Sequence, residues 1–273
     1  MNMESCQATG IFQFDLSGLS EDVIKSADSG FSRISAYFSD SKNALAEASV
    51  KELSNLALSH FYWNYRQISF LYIYALLSKQ ENGLFENSRD MARAASCFFS
   101  VSLNTQCGYD NEEMKKAKAE SVSHLLSRKK EWGGLDDIYD AAYALAALAD
   151  AGNFQEEICL DLCESDRPEW QHPGTTALIM TALWKQKSLG LFSEEADFIV
   201  FKFISDKADW LISVREENHW KYTATSCLVL NALALCNRKG EAEKSLPWLL
   251  TSQKENGSWE NDLNTTALSL STL

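Results

Sequence analysis

The feature that most restricts the fold is a short segment that the chain uses more than once. Its fullest form is Ser252-Gln253-Lys254-Glu255-Asn256-Gly257-Ser258-Trp259, a Q-x-x-x-G-x-W pattern set between the apolar runs 246–251 and 263–273. Ser78-Lys79-Gln80-Glu81-Asn82-Gly83 nearly repeats its first six residues. Looser turns follow the same plan: Gly83-Leu84-Phe85, Trp132-Gly133-Gly134, Trp170 with Gly174, and His219-Trp220. Gly10-Ile11-Phe12 reads as a capping remnant. The aromatic residues of the series stand 47, 38, 50 and 39 positions apart. Self-similarity at such a period marks a repeat architecture, here with two helices per unit.

The flanks of each turn rhyme too. The helix before it ends in a shared tag: Tyr74-Ala75-Leu76-Leu77, His124-Leu125-Leu126, Trp210-Leu211-Ile212 and Trp248-Leu249-Leu250. The helix after it opens with Thr175-Thr176-Ala177-Leu178, Thr225-Ser226-Cys227-Leu228 or Thr265-Thr266-Ala267-Leu268. Strand alternation is nowhere sustained, and three prolines in 273 residues leave long stretches free of helix breakers. Apolar spacing and caps predict twelve helices near 20–38, 42–59, 61–79, 88–104, 111–130, 136–150, 154–164, 174–188, 193–215, 223–237, 240–253 and 262–273. Ser20 and Ser193, each followed by two acids, read as N-caps; Gly152, Gly190 and Gly240 read as C-terminal stops.

The helices are of two kinds. Those at 136–150, 174–188, 223–237 and 262–273 are rich in Ala, Ser, Thr and Leu, with few charges. Those at 111–130, 193–215 and 240–253 carry charge on one face. A helix apolar all round is buried all round. Small-residue helices inside and amphipathic helices outside predict an all-α fold, a single six-hairpin α/α barrel over 1–273, with 1–19 as an N-terminal extension or cap. An open solenoid is the competing geometry.

Composition narrows the function. The net charge is −13, and the short basic runs Lys115-Lys116 and Arg128-Lys129-Lys130 are flanked by acids, so no nucleic acid is expected as a partner. Seven scattered cysteines without a C-x-x-C pair read as reduced thiols of a cytoplasmic protein. Residues 1–14 lack a secretion signal, and no apolar run is long enough to span a bilayer. No G-x-S-x-G, P-loop or G-x-G-x-x-G motif occurs, which argues against hydrolase, nucleotide-hydrolysing and dinucleotide-binding functions.

Gln253-x-x-x-Gly257-x-Trp259 resembles the QW motif of the squalene–hopene and oxidosqualene cyclases. With its degenerate copies the resemblance covers roughly residues 40–273. The wider superfamily includes the protein prenyltransferase β subunits, and its shared fold is the α/α toroid. Lys79, Arg128 and Arg215 depart from the pattern where Gln is expected, and Phe85 replaces one Trp. The physics of the motif is local: Gly allows a tight bend, Gln bonds exposed backbone at a helix end, and Trp stacks over the turn.

The resemblance implies an enzyme that cyclises an isoprenoid, such as a prenyl diphosphate, in a central apolar cavity. The alternative is a non-catalytic toroid that binds a lipid or a protein; a protein-modifying or carbohydrate-active enzyme on the same barrel is a third reading. Asp136-Asp137-Ile138-Tyr139-Asp140, at the start of an inner helix, is the sharpest chemical motif. It matches D-D-x-x-D, which implies Mg²⁺ on Asp136 and Asp140 and a diphosphate substrate. Set against the D-x-D-D acid of the class II cyclases, it places Tyr139 where the proton-donating Asp belongs. The bland reading is an N-cap at Asp136 with acids favoured by the helix dipole. Asp136, Asp137, Tyr139 and Asp140 are the expected catalytic residues; His172, Trp132, Trp170 and Trp220 are expected to contact substrate. Zinc is not expected, because His60, His124, His172 and His219 are far apart and no ligand spacing is present, although His172 and Cys227 lie near inner helices. The aromatic stretch from Phe61 to Tyr74 reads first as packing and second as a cavity wall for cations. Oligomeric state is left open.

Overall fold

A computed structural model describes residues 18–40, 43–80, 85–102, 111–165 and 167–273. Gly10-Ile11-Phe12, Gly83-Leu84, Cys6 and Cys107 lie outside the described residues. Among those described the chain is all-helical, with no strand beyond two isolated bridges, Glu216 with His219 and Trp259 with Asp262. The helices are α1 (Glu21–Asp40), α2 (Ala44–Glu47), α3 (Val50–Tyr62), α4 (Arg66–Ser78), α5 (Ser88–Ser102), α6 (Glu112–Ser127), α7 (Lys129–Trp132), α8 (Ile138–Asp150), α9 (Glu156–Ser165), α10 (Pro173–Lys187), α11 (Glu194–Ser213), α12 (Thr223–Leu235), α13 (Lys239–Glu243), α14 (Leu246–Thr251) and α15 (Leu263–Thr272).

Six of them pack in a closed circuit: α3 touches α5, α5 touches α8, then α10, α12 and α15 follow in turn, and α15 returns to α3. The others back this circuit. α4 lies on α3, α6 on α5, α11 on α10, α13 on α12, and α1 on α15 and α14. Alanines at 141, 144, 177, 182, 232 and 267, each at most 1% exposed, let the circuit helices approach closely.

The expected helix boundaries need five corrections, the first being that residues 61–62 belong to α3, so the helix expected over 61–79 starts only at Arg66. The segment read as one helix over 42–59 breaks at Ser49, whose hydroxyl and Glu52 form a capping box that restarts the helix as α3. The segment 111–130 divides at Arg128 into α6 and α7. The segment 240–253 divides into α13 and α14, where Pro247 sits in a first turn that needs no donor from it. Gly240 lies inside α13 and stops nothing, whereas Gly152 and Gly190 adopt φ of +73° and +69° just past α8 and α10.

The turns show what the recurring pattern does. The indole Nε1–H of Trp132, Trp220 and Trp259 donates to the carbonyl of Leu125, Leu211 and Leu249 at 2.7, 3.0 and 2.8 Å. Each acceptor is a leucine of the shared tag, on the last turns of the preceding helix, where carbonyls lack helical partners. The hydroxyls of Thr176, Ser226 and Thr266 then bond the backbone of Trp170, Trp220 and Trp259. The long polar side chain ahead of each turn donates to a carbonyl of a neighbouring segment. Gln253 Nε2 reaches Ser26 O, Lys79 Nζ reaches Ala46 O, Arg128 Nη1 reaches Glu86 O, and Arg215 Nη1 reaches Glu241 O. Lys and Arg therefore keep the donor that Gln supplies. Phe85 has no N–H and keeps only the buried ring.

Gly257 meets two demands at once. Its φ is +81°, and a Cβ there would stand 2.4 Å from Ser29 O of α1. Gly152 has a similar φ with open space around it. Gly257→Ala is expected to cost more than about 2 kcal/mol in urea denaturation, and Gly152→Ala only about 1 kcal/mol, the strain of the left-handed backbone alone. Equal costs would mean that α1 does not press on the turn.

His60 is buried between Phe31, Tyr65 and Tyr72, with Nδ1 2.8 Å from Leu56 O. Burial lowers its pKa from 6.5 to about 4, against the smaller raising effect of the Leu56 carbonyl. The unfolded chain therefore takes up the proton first. Stability is expected to fall by roughly 3 kcal/mol as pH drops from about 6.5 to about 4, and His60→Gln should flatten that slope. Denaturation midpoints across this range test it.

Candidate functional site

The circuit helices share an internal register. Counting from their N-caps at Ser49, Asn87, Asp137, His172, Tyr222 and Asp262, the sixth residues are Asn55, Arg93, Tyr143, Leu178, Leu228 and Leu268. The ninth are Leu58, Ser96, Ala146, Thr181, Asn231 and Ser271. All twelve are half-buried. In every one of the six helices, the fifth, seventh, eighth, tenth and eleventh residues are fully buried. Each helix has two circuit neighbours and a second layer behind it, so three of its faces are covered. The twelve residues occupy the fourth, and contacts link this face between helices. Asn55 Nδ2 donates to Asn264 Oδ1 at 2.7 Å, the Arg93 guanidinium lies 4.4 Å from the Tyr143 ring centre, and the hydroxyls of Tyr139 and Thr175 are 2.9 Å apart.

This face is asymmetric. On α3, α5 and α8 the sixth residues are polar or aromatic, and Lys51, Arg89 and Tyr139 stand one turn above them. On α10, α12 and α15 the sixth residues are three leucines, below Gly174, Ala224 and Asn264. One side carries ion-paired arginines and aromatic rings, the other a layer of leucines above the polar Thr181, Asn231 and Ser271.

The acidic motif sits at the rim. Leu135, with φ +59° and a buried side chain, turns the chain into it. Asp137, not Asp136, is the N-cap: its Oδ1 accepts from the amides of Tyr139 and Asp140. Its Oδ2 accepts from Arg89 Nη2 at 2.6 Å, and Asp140 Oδ1 accepts from Arg89 Nε at 2.7 Å. Burial opposes the Arg89 charge, but bonds to Asp140 and Asp137 outweigh it and hold the guanidinium above its usual range. Asp136 is exposed and takes no part in this cluster. Asp137 thus accepts on both oxygens, and a Mg²⁺ ion bridging the motif would have to displace Arg89. Among the described residues no group of three His, Cys, Asp or Glu side chains is arranged to hold a metal. Arg89 would compete with a cation for Asp137 and Asp140, while Asp136 stands exposed beside them.

The other expected contacts divide. Trp132, Trp170 and Trp220 are at most 4% exposed and lie in the repeat turns, away from the half-buried face. His172 is exposed at the N-cap of α10, while Cys227 is buried in α12, 3.5 Å from Ser269 Oγ. Burial pushes the thiols of Cys97, Cys227 and Cys236 up to about 12, 11 and 12, so none is a ready nucleophile. Within the aromatic stretch, Trp63 Nε1 donates to Leu270 O and Phe61 is buried, as packing residues. Tyr62 is half-buried. A separate cavity of about 310 Å³ beside the rim is lined by Gly133, Gly134, Leu135, Asp161, Glu164, Ser165 and Arg167. It has little apolar wall, and its one cation bonds Leu135 O and lies over Trp170.

Arg89 and Arg93 were not singled out by the sequence. Their signal was the spacing itself: both occupy half-buried register positions on α5, the circuit partner of the acidic helix. No protein-family model matches the chain, and no curated protein does. Among the described residues no helix is long and apolar enough to cross a membrane. Trp132→Phe is expected to lower stability by about 1–2 kcal/mol, the value of the lost indole bond, as read by urea denaturation. A neutral outcome would mean that the indole bond does not hold the turn.

Proposed function

We propose that the chain is an α/α toroid of the terpenoid cyclase and prenyltransferase type, and that it binds an amphiphilic, lipid-like ligand in its hollow. The observation that carries this is the register of the six circuit helices, with the sixth and ninth positions alone accessible between buried ones. Six accessible strips in phase are what helices around a common hollow require. The layer of Leu178, Leu228 and Leu268 suits an alkyl or isoprenoid chain, with the polar Thr181, Asn231 and Ser271 one turn below it. The opposite wall offers Arg89 and Arg93 to a phosphate or carboxylate head. Arg89 commits Nε and Nη2, and Arg93 commits Nη1, of the five N–H donors that each guanidinium carries.

Binding without chemistry is better supported than cyclisation. Asp137 accepts on both oxygens and Asp140 is held by Arg89, so neither is placed to give a proton to an alkene. The Tyr139 hydroxyl is engaged with that of Thr175. The hollow also carries Asn55, Asn231 and Lys185, which a carbocation would attack or deprotonate.

Native mass spectrometry and calorimetry with palmitic acid and with farnesyl and geranylgeranyl phosphates and diphosphates test the reading. Saturable binding with recovery of unchanged ligand is expected. Leu228→Trp, which fills the hollow, should weaken binding at least tenfold while the thermal melt holds. Absence of saturable binding to every probe sinks the proposal. A new product from a prenyl diphosphate, lost in Asp136→Ala/Asp140→Ala, would replace it with the cyclising enzyme.

A further inference from the structure

Two turns below the leucines, the thirteenth residues of α3, α8 and α10 are Tyr62, Asp150 and Lys185. Lys185 Nζ stands 2.7 Å from both oxygens of Asp150. The side chains are only 19% and 7% exposed. A buried ion pair is an expensive way to join two helices, because an apolar pair of similar size usually stabilises as well or better. Tyr62 reaches the same region from α3: burial first, and then the charge of Asp150, raise its phenol, which stays a neutral donor. Among the described residues no hydrogen-bond partner meets its hydroxyl. Lys185 has three N–H donors, and Asp150 takes at most two of them.

We propose that these three side chains form a second recognition point in the hollow, which takes a neutral oxygen, an alcohol or carbonyl, at the far end of the ligand. The inference rests on the lipid-binding reading and specifies the ligand further. Lys185 and Tyr62 both donate to that oxygen, and Asp150 accepts the hydroxyl proton of an alcohol. The negative charge of Asp150 disfavours a second carboxylate there. The ligand is then polar at both ends. Its head lies at the level of Arg89, its body against the leucines, and its terminal oxygen eleven helical residues further on, roughly 16 Å away at 1.5 Å per residue.

Palmitic acid and its ω-hydroxy derivative separate the possibilities by calorimetry on the full chain. The hydroxy acid is expected to bind about tenfold more tightly to the wild type, and the ratio should fall to about one in Tyr62→Phe. The double variant Asp150→Leu/Lys185→Met removes the ion pair without stranding a charge. It should melt no lower than the wild type and also lose the preference. Equal affinities for the two acids in the wild type, or a preference that survives in either variant, overturn this inference and leave the lipid-binding reading standing. If neither acid nor any prenyl probe binds, both fall together.

Discussion

The bond from an indole N–H to a leucine carbonyl at the end of the preceding helix is the constraint on which the rest depends. A helix leaves its last carbonyls without partners, and burying them unpaired costs free energy. Trp132, Trp220 and Trp259 each satisfy one such carbonyl with a side chain that is almost wholly buried. Joining the helix end to the turn in this way fixes where the next helix starts. The hydroxyl at the second position of the rhyming tetrad then ties the tryptophan backbone to that next helix. Bond by bond, the preceding helix, the turn and the circuit helix are joined. The units around Trp220 and Trp259 carry both bonds and the others keep one or neither, yet positions six and nine are half-buried in all six circuit helices.

Much of this was legible because it is local. The tag Leu125, Leu211 and Leu249, the turn tryptophan and the paired hydroxyls lie within about twenty residues of one another, and their recurrence exposes them. The two classes of helix were legible from charge. What escaped was either very short range or very long range. The break at Ser49 is a capping box inside an apolar pattern that continues through it. The N-cap fell on Asp137, because two adjacent aspartates compete and the strained turn at Leu135 sets which is in place.

The site was less legible than the fold. Nothing in the sequence says which face of an all-apolar helix looks at a neighbour and which looks at open space. Arg89 lies 48 residues from Asp137 and 51 from Asp140, and Lys185 lies 35 from Asp150. Such pairs exist only once neighbouring units are in register. The acidic motif, the loudest chemical signal in the sequence, has much of its capacity spent on a cap and an ion pair. The quieter half-buried positions carry the argument for a ligand instead.

The clasp between Gln253 and Ser26 has a consequence for the chain's biogenesis. Gln253 Nε2 donates to Ser26 O, Ser26 Oγ donates back to Gln253 Oε1, and a Cβ on Gly30 would stand 3.2 Å from the Trp259 ring. The partners are 227 positions apart. Phe31 and Phe38 of α1 already pack on His60, Tyr65 and Tyr72, but the face around Ser26 and Gly30 has no seat until residues 253–270 are in place. Closing so long a span costs little more free energy than closing a short one, since the entropy grows only logarithmically with length, but distant contacts form slowly. Until then the Ser26–Gly30 face of α1 stays uncovered, and the clasp is among the last contacts to form.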